Sequence, residues 1–210
     1  MKVWFPTVHT RTGTEVFSLE LAERLRDFGV ETEVSSISHK SEYLPWREPV
    51  PECPKGTSVV HVNSWLHPRF IPEGLPTVAT EHLCVHDPAL KPYKSLPQRI
   101  YHALWIKWVE SQSFKRASVV SAVSQYTAEK TKEAFGIDPI VILNGVSLKP
   151  PFVPASRAQP KKPFRLLFAS AWSKRKGADL LGDVMKELGP DFELICLVEP
   201  VEKVLTVPFY

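Results

Sequence analysis

Short apolar runs separated by helical patterns limit the folds open to this chain more than any other feature. Residues 3–5, 58–62 and 77–80 are apolar runs of strand length that contain β-branched residues. Between such runs, apolar residues recur on one helical face, most clearly over residues 17–28, where a glycine follows as a helix end. Strands that alternate with helices are typical of βαβ units, so we predict an α/β fold with a Rossmann-like parallel sheet.

A run of prolines interrupts this alternation. Five of them lie between residues 149 and 163, a density that suits a stiff, exposed connection better than a core helix or strand. The pattern then restarts as one strand–helix–strand unit, which cannot cover both faces of a parallel sheet. We therefore expect an N-terminal domain at residues 1–147, a proline-rich linker at 148–163 and an incomplete second domain at 164–210.

Composition excludes several classes of protein. The chain has 26 lysines and arginines against 23 acidic residues, whereas a nucleic-acid partner would require a strong basic stripe. Three cysteines, Cys53, Cys84 and Cys196, lack metal-ligand spacing and are expected as free thiols in a reducing compartment. No apolar run approaches the roughly 18 residues of a membrane span, and no apolar stretch of a signal peptide follows Lys2. We expect a cytoplasmic protein.

A basic turn at residues 170–177, Ser-Ala-Trp-Ser-Lys-Arg-Lys-Gly, follows a predicted strand and precedes a helix predicted at residues 178–188. Cations beside a helix N-terminus form a ready phosphate site. A solvated basic loop without a ligand fits the same residues equally well.

Three motifs in this order resemble glycosyltransferase family 4, whose members are retaining enzymes with two Rossmann-like domains (the GT-B fold). The motifs are Val-Ser at residues 123–124, Val-Ile-Leu-Asn-Gly-Val at 141–146 and Arg-Lys-Gly-Ala-Asp-Leu-Leu at 175–181. The resemblance extends from residue 1 to about residue 198. It implies that the first domain binds the acceptor, that the second binds a nucleoside diphosphate sugar, and that Ser124, Asn144 and Gly145 lie between the domains.

The resemblance also implies a donor site in the second domain. Lys176 would bind the donor diphosphate with help from Arg175, since fixed cations stabilise the charge that develops on the leaving phosphate. The family usually places an arginine earlier in this turn, where this chain has Ala171 after Ser170.

The loop between the first strand and the first helix resembles the glycine-containing loop that faces the cleft in the family. Its candidate residues for acceptor contact are His9, Arg11, Gly13 and Thr14. The alternative is a plain β–α turn in which Thr14 is the helix N-cap. No Gly-x-Gly-x-x-Gly pattern is present, which disfavours a third interpretation, a dinucleotide-binding protein or epimerase.

His82 follows a predicted strand, and ligands of open α/β sheets bind at the carboxyl ends of strands. The resemblance implies that this histidine contacts the transferred sugar, and His86 or Asp87 could substitute for it. A zinc pair of His82 and His86 would require a helix and a third ligand, and Pro88 argues against that helix. We predict no bound metal and no cofactor.

Residues 100–109 are apolar almost all round. A helix of this kind is usually buried, which is the interpretation we favour here. Trp105, Lys107 and Trp108 would also suit contact with the inner face of a membrane.

These features predict metal-independent, retaining transfer from a nucleoside diphosphate sugar to a saccharide, lipid-linked or small-molecule hydroxyl acceptor. The family uses two glutamates separated by seven residues in its second domain. Here that spacing occurs only at Glu15–Glu23, Glu23–Glu31 and Glu73–Glu81, in the first domain, where we take it as coincidence and expect Glu15 and Glu23 to be solvated. The alternative is a truncated enzyme or a non-catalytic, acceptor-binding subunit that self-associates or requires a partner chain.

Overall fold

The computed structural model describes residues 1–145, 161–198 and 203–207 of the chain. It contains two compact units, Met1–Ser147 (unit 1) and Leu148–Tyr210 (unit 2). Most of the predicted proline-rich linker, and Val146 of the second motif, lie outside the described residues. In the described part of the chain, no helix is both long and apolar enough to cross a membrane.

Unit 1 is a six-stranded parallel sheet with helices between its strands, which confirms the predicted fold class. The strand order is β2-β1-β3-β4-β5-β6. The strands are β1 (Lys2–Val8), β2 (Glu31–Ile37), β3 (Val59–Asn63), β4 (Thr77–Glu81), β5 (Val119–Ala122) and β6 (Ile140–Val141). The helices are α1 (Gly13–Asp27), α2 (Leu96–Tyr101), α3 (Lys107–Arg116) and α4 (Gln125–Phe135), with a π-helical segment (His102–Ile106) between α2 and α3.

The core of unit 1 lies on both faces of this sheet. Along β1, Val3 and Phe5 pack with Ala22 of α1, whereas Trp4 packs on the opposite face with Phe114 of α3. This division follows from the alternation of side chains along a strand. Because both faces are covered, β1 is apolar on both sides, as its sequence predicts.

Helix α1 differs from its prediction at its N-terminal end, whereas the glycine predicted to end it is confirmed. It begins at Gly13 with Thr12 in the N-cap position, so Thr14 is not the N-cap. It ends at Asp27, and Gly29 adopts a left-handed φ of 78°, which turns the chain away from the helix axis. The prediction that Phe28 belongs to the buried face is therefore wrong: this side chain lies beyond the last turn and is 84% exposed.

The helix expected around residues 100–109 is present as a long helix that consists of α2, the π-helical segment and α3. It packs against unit 1 through Ile106 and Val109, which are buried. The expectation of burial all round is wrong, because Ile100, Leu104 and Trp108 face solvent. One helix on a sheet buries a single stripe, so its remaining apolar residues stay exposed.

The described residues of unit 2 form a three-stranded sheet with one α-helix. Strands β7 (Phe164–Phe168) and β8 (Phe192–Val198) are parallel, and β9 (Lys203–Val207) pairs with β8 in the antiparallel direction. Helix α5 (Leu181–Leu188) begins three residues later than predicted and packs through Met185 on Leu194 and Cys196. Several large apolar side chains of this unit remain exposed, namely Leu167, Trp172, Leu180 and Val184.

Candidate active site

A cavity of about 340 Å³ lies in unit 1 at the carboxyl ends of β1, β3 and β4. The chain enters the sheet at β1, adds β2 on one side and then crosses to β3 on the other side. Ligands of open α/β sheets bind at such a reversal of strand order, since the connecting loops diverge there and leave a crevice. The lining includes Val8, Asn63, Trp65, Glu81 and His82.

The β1–α1 loop is organised around the Glu15 carboxylate. Glu15 Oε2 accepts hydrogen bonds from the backbone N–H groups of Thr10 (3.0 Å) and Arg11 (2.7 Å), and Oε1 lies 2.6 Å from His9 Nδ1. Burial opposes ionisation of this carboxyl, but the hydrogen bonds from His9 and the loop backbone lower its pKa. The expectation that Glu15 is solvated is therefore wrong, and the carboxylate holds the loop beside the cavity.

The predicted loop residues differ in their access to this cavity. Thr14 lines it, together with Thr10 and Thr12, whose hydroxyl groups lie 2.7 Å apart. His9, Arg11 and Gly13 do not belong to the lining, and Arg11 has a left-handed φ of 56°. The loop thus presents threonine hydroxyls to the cavity. His9 lies outside the lining and contacts the Glu15 carboxylate, which in turn holds the loop in place.

His82 is the histidine best placed to contact a ligand. Its ring lies edge-on to Phe17 at 4.7 Å between centroids, and burial lowers its pKa, so the imidazole is neutral at neutral pH. Within the described residues, no group hydrogen-bonds its ring nitrogens. By contrast, the cavity residue His39 lies 3.2 Å from a Glu42 carboxylate oxygen. A neutral imidazole without a protein partner can accept or donate a hydrogen bond to a bound hydroxyl.

The proposed substitutes for His82 are already engaged. His86 Nε2 lies 2.6 Å from Glu110 Oε2, and its side chain is only 9% exposed. Asp87 accepts hydrogen bonds from the Tyr126 hydroxyl (2.6 Å) and from the N–H of Ala89 (2.9 Å), and thereby caps a short 3₁₀ helix that begins at Pro88. Neither side chain can replace His82 without losing these partners. Over the described part of the chain, no cluster of three His, Cys, Asp or Glu residues could hold a metal ion.

A buried acid cluster adjoins the cavity. Glu81 and Glu110 are almost fully buried and interact electrostatically, and Glu81 Oε2 and Glu110 Oε1 have no hydrogen-bond partner among the described residues. Burial raises the pKa of Glu110 to about 8, while burial and the neighbouring Glu110 raise the pKa of Glu81 well above its usual range. Burial also lowers the pKa of His86 to about 4. All three groups are therefore held mainly in their uncharged forms at neutral pH.

The residues predicted between the domains have local contacts in unit 1. The Ser124 hydroxyl caps α4 by accepting a hydrogen bond from the N–H of Thr127 at 3.1 Å. Asn144 and Gly145 follow β6 and are exposed. A helix cap therefore accounts for Ser124 without a ligand.

The basic turn of unit 2 is not a helix N-terminus. Lys174–Lys176 form a 3₁₀ turn that ends at Gly177, where φ is 79°, and α5 begins only at Leu181. The N–H groups of Lys176 and Ala178 both donate to the carbonyl of Ser173. These N–H groups are thus unavailable to an anion. The three cationic side chains are exposed and form no ion pair with any described residue.

Several cavity residues escaped the sequence analysis, among them Glu42, Asn63, Trp65 and Glu81. Asn63 ends β3 and Glu81 ends β4, so the rule that selected His82 also points to them. Glu42 lies in a short 3₁₀ helix (His39–Glu42), and no sequence pattern points to it.

The fold and the cavity define the class of this protein. A parallel sheet with a crevice at the reversal between β1 and β3 is a Rossmann-like domain of the kind that begins GT-B enzymes. Residues 54–149 match the sequence model of the family described as Glycosyltransferase Family 4. This segment contains His82 and is similar to glycosyltransferase family 4, so the resemblance drawn from the motifs at residues 123–124 and 141–146 is confirmed there. No curated protein matches the chain.

Proposed function

We propose that the chain transfers a sugar from a nucleoside diphosphate sugar to an acceptor hydroxyl, with retention of configuration and without a metal ion. The observation that carries this proposal is the cavity at the strand-order reversal of unit 1, where the ring of His82, within the segment that matches family 4, has no hydrogen-bond partner among the described residues. A neutral imidazole there suits a sugar hydroxyl, because it can donate or accept a hydrogen bond without adding charge.

The cavity lining also indicates the chemistry of the acceptor. It combines hydroxyl, carboxyl, amide and imidazole groups with the indole of Trp65, and none of the described residues that line it is a lysine or arginine. Hydroxyl groups of a sugar can hydrogen-bond such side chains, whereas a phosphate would meet carboxyl oxygens without a counter-charge. We therefore favour an uncharged polyol or saccharide at this end of the acceptor.

The transfer breaks the bond between the anomeric carbon and the diphosphate oxygen and forms one to the acceptor oxygen. The acceptor proton leaves with the departing phosphate, which retains the bonding electrons. Lys176 and Arg175 would stabilise the charge on that phosphate through their side chains alone. This step requires no metal in the donor site.

Thermal-shift measurements with UDP, GDP, ADP and their sugars test the donor assignment. We expect one nucleotide family to raise the melting temperature, since a ligand that binds only the folded state stabilises it. Lys176→Ala should abolish that shift, whereas Lys186→Ala, an exposed lysine of α5, should leave it unchanged. No shift with any donor, together with no transfer to a glycan mixture, would reject the proposal.

His82→Gln tests the role of the cavity. It should reduce transfer and the binding of neutral sugars, while His67→Gln, whose ring packs on Trp105 outside the cavity, should leave both unchanged. A preference for a sugar phosphate over the free sugar would contradict the acceptor assignment.

A second candidate function is a non-catalytic or partner-dependent subunit. The exposed apolar side chains of unit 2, including Leu167, Trp172 and Leu180, favour it because such surfaces often contact another chain. Analytical ultracentrifugation distinguishes the two candidates. A monomer that transfers sugar excludes this candidate, and an oligomer without transfer activity supports it.

A further inference from the structure

The long helix of unit 1 carries an apolar stripe that faces solvent. Leu96, Ile100, Leu104 and Trp108 recur every four residues and are between 46% and 71% exposed. In an α-helix a spacing of four drifts by about 40° per step around the axis. The π-helical segment His102–Ile106 has a wider turn, which offsets part of this drift and keeps the four side chains (the outer stripe) on one side.

A fixed group of aromatic rings adjoins the outer stripe. The indole N–H of Trp105 donates to the carbonyl of Glu42 at 2.8 Å, which anchors this side chain to the neighbouring loop. Trp108 stacks on Trp105 with 5.7 Å between ring centroids, and Trp46 meets Trp105 edge-on at 6.2 Å. Trp46 itself is exposed. Tryptophan rings with one polar contact and one open face are typical of membrane–water interfaces.

The exposed charged residues of the long helix itself are all cations. Arg99, Lys107 and Lys115 are exposed on the long helix. Its only acidic residue is Glu110, whose side chain is fully buried. A solvent-facing helix of an ordinary globular protein mixes both signs, whereas an apolar face flanked by cations suits an anionic lipid surface.

We propose that the outer stripe, with Trp46 and the cations Arg99, Lys107 and Lys115, docks unit 1 on an anionic lipid bilayer with the long helix in the plane of the interface. A two-fold contact with a second copy is less favourable, because it would bring these cations close to their own copies without exposed acids on the helix. The inference does not depend on sugar transfer, since it rests on the outer face of the helix and not on the cavity.

Co-sedimentation of the full chain with vesicles tests this inference without any substrate. We expect binding to phosphatidylcholine vesicles that contain phosphatidylglycerol, with weaker binding to pure phosphatidylcholine and loss of binding at high salt. Leu104→Glu and Ile100→Glu should each weaken binding at least roughly tenfold, since burial of one such side chain alone is worth about that factor. Phe28→Glu is the matched control, because this exposed apolar residue lies outside the outer stripe.

A second pair of variants tests the charges. Lys107→Glu should weaken binding to the anionic vesicles several-fold, whereas Lys55→Glu, an exposed lysine away from the long helix, should not. Lack of binding to anionic vesicles overturns the inference, as does equal binding by Leu104→Glu and the wild type. A wild-type dimer that becomes monomeric in Leu104→Glu would assign the stripe to a second copy and also overturn it.

Discussion

The two units of this molecule treat charge in opposite ways. Unit 1 buries Glu81, Glu110 and His86 and pairs them with one another. In unit 2 the described ion pairs lie at the surface, as with Arg165 and Glu193, whose side chains are 72% and 34% exposed and whose atoms are 3.7 Å apart. The basic turn of unit 2 adds three cations with no counter-charge among the described residues.

The contrast follows from the size of each sheet. Six strands with helices on both faces provide an interior that excludes water from a carboxyl pair. The three described strands and one described helix of unit 2 bury a smaller interior than the sheet of unit 1. The charged side chains of unit 2 therefore stay hydrated. Charges in unit 1 are therefore fixed by the protein, while those of the basic turn remain free to respond to salt and to anionic ligands.

Removal of a buried acid should have the largest effect. We expect Glu110→Ala to destabilise unit 1 by up to about 3 kcal/mol, because it leaves the uncharged imidazole of His86 buried without its hydrogen-bond partner. Glu193→Ala in the exposed pair should cost about 1 kcal/mol or less. Urea unfolding measures both, and tryptophan fluorescence mainly reports unit 1, which holds five of the six tryptophans. Equal losses for the two variants would contradict the contrast between the units.

The buried carboxyls should also make the stability of unit 1 depend on pH. Folded Glu110, with a pKa of about 8 against an ordinary 4.5, keeps a proton that the unfolded chain has lost. Its contribution to stability is full below about pH 4.5 and is lost as the pH rises through 8. His61, His86 and His102 have folded pKa values of about 4, so their contribution is lost as the pH falls from 6.5 to 4.

Of these groups, therefore, only the buried carboxyl changes the free energy of unfolding above pH 6.5. The unfolding free energy should fall by about 1.4 kcal/mol per pH unit for each retained proton between pH 6.5 and 8. Urea unfolding at several pH values measures this slope, and Glu110→Gln should reduce it. A stability that rises over this range would show that the carboxyls are ionised in the folded state.

Loss of the Glu15 carboxylate should have a smaller and more local effect. Glutamine at this position has one acceptor oxygen instead of two, so Glu15→Gln loses either the ion pair with His9 or one of the backbone hydrogen bonds. We expect a cost of about 1–2 kcal/mol. Hydrogen exchange at the amides of Thr10 and Arg11 should accelerate, whereas Glu20→Gln on the exposed face of α1 should change neither quantity. Unchanged exchange at both amides would show that Glu15 does not hold the loop.

The difference between the units also explains what the sequence could predict. Periodicity identified strands β1, β3 and β4 and the end of α1 at Gly29, because local apolar patterns and glycine conformation determine them. It identified His82 through its place after β4. It missed the partnership of Glu81 with Glu110, because those residues are 29 positions apart and meet only when α3 packs near β4. Likewise, no pattern revealed that Glu15 binds the loop backbone.

The basic turn should show the smallest effect on stability and thereby the clearest separation of the units. Lys176→Ala and Arg175→Ala remove exposed side chains that contact no counter-charge among the described residues, so each should change the unfolding free energy by less than about 0.5 kcal/mol. Gly177→Ala should cost about 1 kcal/mol, because alanine at a φ of 79° is strained even though open space surrounds it. Urea unfolding followed by circular dichroism measures all three. If Lys176→Ala or Arg175→Ala lowered the unfolding free energy more than Gly177→Ala does, the fold of the turn would depend on these charges. There would then be no reason to regard the two cations as free to bind an anion.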